Sequence, residues 1–133
     1  MRTFLDTGVL MAAWKRETLS AVALAVMADD HRQFYSSQMV RLELLPKPRF
    51  EKRPGEIRFY ENHLAAVIVS EPLSVELGNE AEALAARYGL SAADALQIAA
   101  AVRLDVEEFY TSEKPGKPMF RVKELKLISL HSL

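Results

Sequence analysis

The chain has 133 residues, half of them hydrophobic, no cysteine, and a formal net charge of −1. That length suits one domain with a sizeable core, and the missing cysteines exclude disulfides, thiolate metal sites and a cysteine nucleophile. A near-neutral balance supplies no global basic field for passive binding to bulk nucleic acid.

In chain order, RTFL at 2–5 is predicted as a short buried strand and 9–16 as a short helix. Leu19, Val22, Ala23, Val26 and Met27 recur at helical spacing, so 18–29 is a second helix. QFYS at 33–36 is predicted as a strand. Ser37 then caps a helix over 38–45 that Pro46 stops. PKPRFEKRPGE, with three prolines, a glycine and a basic excess, is predicted as a loop. Ile57, Tyr60, Leu64, Val67 and Ile68 mark a long amphipathic helix, and SEPLS holds an extended residue or two. Leu77, Ala81, Leu84, Ala85 and Tyr88 mark another helix, closed by Gly89. Ser91 caps a further one reaching Arg103, and strands are expected at 107–111 and 125–130. Strands alternating with dominant helices predict a single α/β domain over 1–133 with a small, mostly parallel sheet. No apolar run approaches bilayer length and no secretory h-region opens the chain, so a cytoplasmic protein without membrane contact is expected.

The stretch TFLDTGVL raises three readings for Asp6. Asp-Thr-Gly is the core of the aspartic-protease signature, but those enzymes are built of strands and place Ser or Ala where Val9 stands here. A second reading is a helix N-cap. The third is a carboxylate at the carboxyl end of a strand, where parallel α/β sheets bind ligands. Glu113 follows the EEFYT strand and points to the same rim. Glu43 interrupts the apolar helix MVRLELL, and Asp94 lies in the first turn of SAADALQIAAAV. Each acid taken singly has an ordinary explanation; Ser91-Ala-Ala-Asp94, for example, fits a capping box. Converged, they would repel one another unless a cation joined them. Mg²⁺ or Mn²⁺ suits such an oxygen set, and no histidine or cysteine is near in sequence to favour zinc.

Four blocks carry a resemblance to a known family: FLDTGVLMA, SSQMVRLELL, YGLSAADALQIAAA and FYTSEKPGKPMF. In order and separation the chain resembles a PIN domain of the small kind that includes the VapC toxins. The likeness implies a PIN-like three-layer α/β/α fold and a divalent-metal-dependent endoribonuclease, the toxin of a toxin–antitoxin pair. Its catalytic and metal-binding acids would be Asp6, Glu43, Asp94 and Glu113, with Mg²⁺ or Mn²⁺ as cofactor. RNA would be the substrate, and a cognate antitoxin and a second copy of the chain would be partners. Relatives usually carry Asp where Glu113 stands and often His where Gln97 stands. Thr7, Gln97, Ser112, Lys114 and Lys117 are candidate substrate contacts. Two basic patches could hold phosphates: Lys47, Arg49, Lys52 and Arg53 in the proline-rich stretch, and Lys114, Lys117, Arg121 and Lys123 after Glu113. The competing function is a PIN-like domain without catalysis that binds RNA or protein. A phosphotransferase with Asp6 as nucleophile lacks its usual second acid, because Gly8 occupies that position.

Overall fold

Four residues near the N-terminus make the centre of the sheet. In the computed structural model, which describes residues 1–133, strand β1 (Arg2–Leu5) is flanked by β2 (Gln33–Ser37) and β4 (Glu108–Thr111). The short β3 (Ser70–Glu71) extends the sheet beyond β2, and β5 (Leu127–Ser129) extends it beyond β4. Every pairing is parallel, and the order is β3-β2-β1-β4-β5. A parallel sheet needs crossovers and cover on both faces, which explains why Thr3, Phe4, Leu5 and all of EFYT are sealed from solvent. Phe4 and Phe109 face each other in register, with stacked rings 5.2 Å apart.

The crossovers are α1 (Thr7–Lys15), α2 (Ser20–Met27), α3 (Gln38–Leu44), α4 (Pro46–Phe50), α5 (Pro54–Ala66), α6 (Val75–Tyr88) and α7 (Ala92–Arg103). The result is the expected three-layer α/β/α arrangement. Helix α7 shows why the sequence chooses it. Ala95, Ile98, Ala99, Ala100 and Ala101 are all buried, and small side chains let a helix approach its neighbours closely. Its partner α6 ends at Gly89, whose left-handed φ of 70° returns its N–H to the Ala85 carbonyl. Ser91 then accepts from the Asp94 N–H and starts α7 two residues later. Ser37 and Ser74 start α3 and α6 in the same way.

Two predictions are corrected. Val67 and Ile68, expected in the long amphipathic helix, lie beyond α5, because Val67 is already extended and the Ile68 N–H donates to the Phe34 carbonyl. The stretch PKPRFEKRPGE is largely helical: α4 occupies Pro46–Phe50, and Pro54 opens α5. Pro46 does end α3, but it also begins the next helix. At the first helical position proline lacks only an N–H that has no intrahelical acceptor anyway, and its φ is already helical. The proline-rich composition therefore marked helix starts rather than one long loop.

The chain runs outward from β1 through β2 to β3, then crosses back to β4 on the other side of β1. The carboxyl ends of β1 and β4 thus form the topological switch point, where the departing connections leave a crevice. Asp6 immediately follows β1, and Ser112-Glu113 follow β4.

Candidate metal centre

Asp6 is both a cap and a cleft residue. Its N–H extends the sheet by donating to the Tyr110 carbonyl at 3.1 Å. Its Oδ1 accepts from the Val9 N–H at 3.1 Å and starts α1. The N-cap reading is therefore right, and it is also what aims the carboxylate along the rim. Only 8% of the residue is exposed. Burial pushes its pKa up to about 7; hydrogen bonds from Thr111 and Val9 pull it down, while the charges of Asp94 and Glu113 raise it further. Gly8 is required by close approach. A Cβ there would lie 2.1 Å from Ser112 Oγ and 3.2 Å from Ser112 Cβ. The two strand-end segments can meet because position 8 has no side chain.

The four acids expected from the sequence line one cleft of about 210 Å³ with Thr7, Gln97 and Ser112. Met11, Gly8 and Ala93 complete it. Asp94 is half-buried in the first turn of α7; burial raises its pKa, the Ser91 side-chain hydrogen bond lowers it, and Glu113 and Glu43 raise it. Glu43 reaches in from α3 and is held from two sides. Thr7 Oγ1 donates to its Oε1 at 2.7 Å, and Gln97 Nε2 donates to the same oxygen at 2.7 Å and to Thr7 at 3.1 Å. Gln97 itself is only 4% exposed, and its carbonyl faces the Ser37 hydroxyl at 3.5 Å. Glu113 is exposed; its N–H donates to Thr111 Oγ1 at 3.1 Å, and its carbonyl accepts from Ser129 at 2.5 Å. Both contacts fix its backbone and leave the carboxylate free to turn.

As the side chains stand, no three of the acids are close enough together to hold an ion. They nonetheless feel one another's charge. The donor set is oxygen throughout, with carboxylates, hydroxyls and one amide, and His31, His63 and His131 are all absent from the cleft. That chemistry fits Mg²⁺ or Mn²⁺, which take one or two carboxylates and keep several waters, and does not fit zinc.

The other sequence candidates lie apart. Lys114 and Lys117 are exposed and do not line the cleft. Arg49 pairs with Glu61 at 2.6 Å, and Arg121 donates to the Tyr88 carbonyl at 3.1 Å. Lys47 and Arg53 line a neighbouring cleft together with Trp14, Lys15 and Arg16, three residues that sequence reasoning did not select for the site. Their only sequence signal was position, one helix-length after Asp6. Trp14 is 36% exposed.

The sequence profile of PIN domains matches residues 3–114, which contain all four acids. The chain belongs to the PIN domain family. Its fold is also that of solved toxin–antitoxin structures. VapBC2 from Rickettsia felis, bound to a promoter DNA fragment, superposes with a TM-score of 0.71 at 17% identity, over 97% of this chain and 98% of that one. VapBC-1 from nontypeable Haemophilus influenzae gives 0.71 at 19% identity, over 98% and 99%. VapC20 from Mycobacterium tuberculosis, a sarcin-ricin loop cleaving toxin, gives 0.70 at 17% identity, over 93% and 98%. No curated protein matches this PIN domain in sequence. None of its helices is long and apolar enough to cross a membrane.

Proposed function

We propose that this PIN domain is a divalent-metal-dependent endoribonuclease that hydrolyses RNA phosphodiesters, and that it is the toxin of a VapBC-type pair. One observation carries the reading. Carboxylates from the ends of β1 and β4 and from α3 and α7 face a single crevice at the switch point, where burial pushes the pKa of Asp6 up to about 7. A purely structural cap has no need of three further acids around it. Asp6 and Asp94 would hold the ion, Glu43 would join them directly or through water, and Glu113 would swing in from its exposed position. A bound Mg²⁺ or Mn²⁺ supplies an acidified water and offsets charge that develops on the phosphate.

The chain's own residues do the rest. Thr7 and Gln97 hold Glu43 in one rotamer, so its free oxygen can orient the attacking water. Ser112 offers a hydroxyl to phosphate oxygens at the cleft mouth, whereas the single hydroxyl proton of Thr7 is already given to Glu43. The tightly packed Gly8–Ser112 contact keeps the two strand ends in one relative position. The toxin assignment is supported by the whole-chain likeness to VapBC complexes. An antitoxin would dock on the apolar positions that α2 and the segment after α5 expose, Leu24 and Ile68 among them, or these would pair two copies of the chain.

A second reading, a PIN domain that binds RNA or protein without cleaving, is favoured by the absence of any three acids set to hold an ion. Titration calorimetry with Mn²⁺ on the wild type and on Asp94→Asn separates the two. Binding that disappears in the variant, with unchanged circular dichroism and loss of RNA cleavage, supports the nuclease. A wild type that takes up no metal, alone or with RNA present, refutes it.

A further inference from the structure

A second cleft adjoins the acidic one, and Met11 is a wall of both. Its volume is about 360 Å³, and its other lining residues are Trp14, Lys15, Arg16, Lys47, Arg53 and Glu56. Four cations therefore face one carboxylate. That carboxylate is already engaged: Glu56 accepts from the Tyr60 hydroxyl at 2.9 Å and lies 3.3 Å from Arg53. Arg53 also pairs with Glu51 at 2.9 Å. Lys15, Arg16 and Lys47 enter none of the chain's ion pairs. Their charge is directed at whatever enters the cleft.

Arg16 supplies an independent observation. It ends α1 in the left-handed region, with φ 54° and ψ 37°. Glycine or asparagine is the usual occupant of such a position, because a Cβ there crowds the backbone. A side chain retained in an unfavourable conformation at a cleft edge points to a use for that side chain. Two residues earlier, Trp14 rests its ring on Phe59 at 5.5 Å and leaves about a third of its surface open. An aromatic ring braced from one side among unpaired cations is the combination that single-stranded nucleic acids recognise. The ring takes a base, and the cations take the flanking phosphates.

We propose that this cleft is the nucleotide subsite next to the scissile phosphate: an RNA base stacks on Trp14 while its phosphates meet Lys15, Arg16 and Lys47. The inference rests on the ribonuclease reading and gives it a direction. The strand leaves the acidic crevice across Met11, toward the end of α1 and the start of α4, rather than toward Lys114 and Lys117.

The test is anisotropy of a labelled short single-stranded RNA with the full chain in EDTA, repeated across a salt series. Lys15→Ala and Lys47→Ala should each weaken binding and lower the log–log salt slope by about one. Trp14→Ala should weaken it roughly tenfold with the slope unchanged, and Trp14→Phe, which keeps a ring, should restore most of that loss. Arg16→Gly should weaken RNA binding while raising the thermal midpoint, a pair of opposite effects that a merely structural arginine would not produce. Wild-type affinity in all of these variants, with binding weakened instead by Lys114→Ala or Lys117→Ala, overturns this path and leaves the ribonuclease reading standing. A wild type that binds no RNA even at low salt overturns both.

Discussion

Replacing Asp6 by asparagine should stabilise the metal-free protein while abolishing the proposed metal binding and RNA cleavage. In the unfolded chain this carboxyl ionises near 3.8; in the folded one burial and its acidic neighbours raise that to about 7. Between those values the folded state holds a proton that the unfolded state has lost, so stability falls as pH rises and the full penalty is present above pH 7. At about 1.36 kcal/mol per pH unit the ceiling is about 4 kcal/mol. Water entering the open cleft reduces it, and about 2 kcal/mol is a sounder expectation. Asparagine cannot ionise, and it caps a helix as well as aspartate does, so the bond from the Val9 N–H is kept. Urea unfolding in EDTA at pH 7.5 should show Asp6→Asn more stable by about 2 kcal/mol, or roughly 6 °C in Tm. At pH 4 the gain should vanish, because both proteins then carry a neutral group. With Mn²⁺ at pH 7.5 the order should reverse, since only the wild type gains from binding an ion to its folded state. A variant no more stable than wild type at pH 7.5, or equally stabilised at both pH values, would refute the claim that an unpaired buried charge sits at the end of β1.

Other perturbations reach different parts of the molecule. Gln97→Leu removes both bonds that Nε2 donates to Glu43 and Thr7; it should lower metal affinity or activity by about 10–100-fold with the fold retained, and unchanged values would show that Glu43 needs no such support. Gly8→Ala should push the Ser112-Glu113 segment away and weaken Mn²⁺ binding, and Ser112→Gly in the same chain should recover it, since the clash is with that side chain; calorimetry on the single and double variants decides. His63 is buried against Phe34, its Nε2 has no partner, and burial lowers its pKa to about 4. The unfolded chain takes up that proton first as pH falls from 6.5, so His63 by itself should withdraw about 3 kcal/mol of stability by pH 4, opposing the gain from Asp6 over the same range. His63→Phe should lack that part of the acid limb, and superimposable pH–stability curves would count against it.

Much of this architecture was legible in local patterns. RTFL and EFYT are strand-length runs rich in aromatic and β-branched residues, and Ser37, Ser91 and Gly89 are helix punctuation whose chemistry acts over three or four residues. Asp6 and Glu113 could be placed at one rim because a parallel sheet sends every strand end the same way, and Glu43 and Asp94 lie on helices that end or begin near that edge. The proline-rich segment misled for the same local reason: proline is read as a breaker, and whether it starts a helix depends on what the residues after it can bury.

The sequence by itself determined the strand–helix alternation, the caps and the membership of Asp6, Glu43, Asp94 and Glu113 in one family pattern, because each of these depends on residue type at short spacing. Only the tertiary structure decided how the acids differ from one another. Asp6 is raised to about 7 because packing excludes water from it, while Glu113 stays at the exposed mouth. Gln97 became the clamp on Glu43 because α3 and α7 meet at the crevice, although 54 residues separate the pair in the chain. Trp14, Lys15 and Arg16 joined Lys47 and Arg53 in one cleft for the same reason. Burial and long-range proximity are sums over the whole packed chain, and no local window of residues contains them.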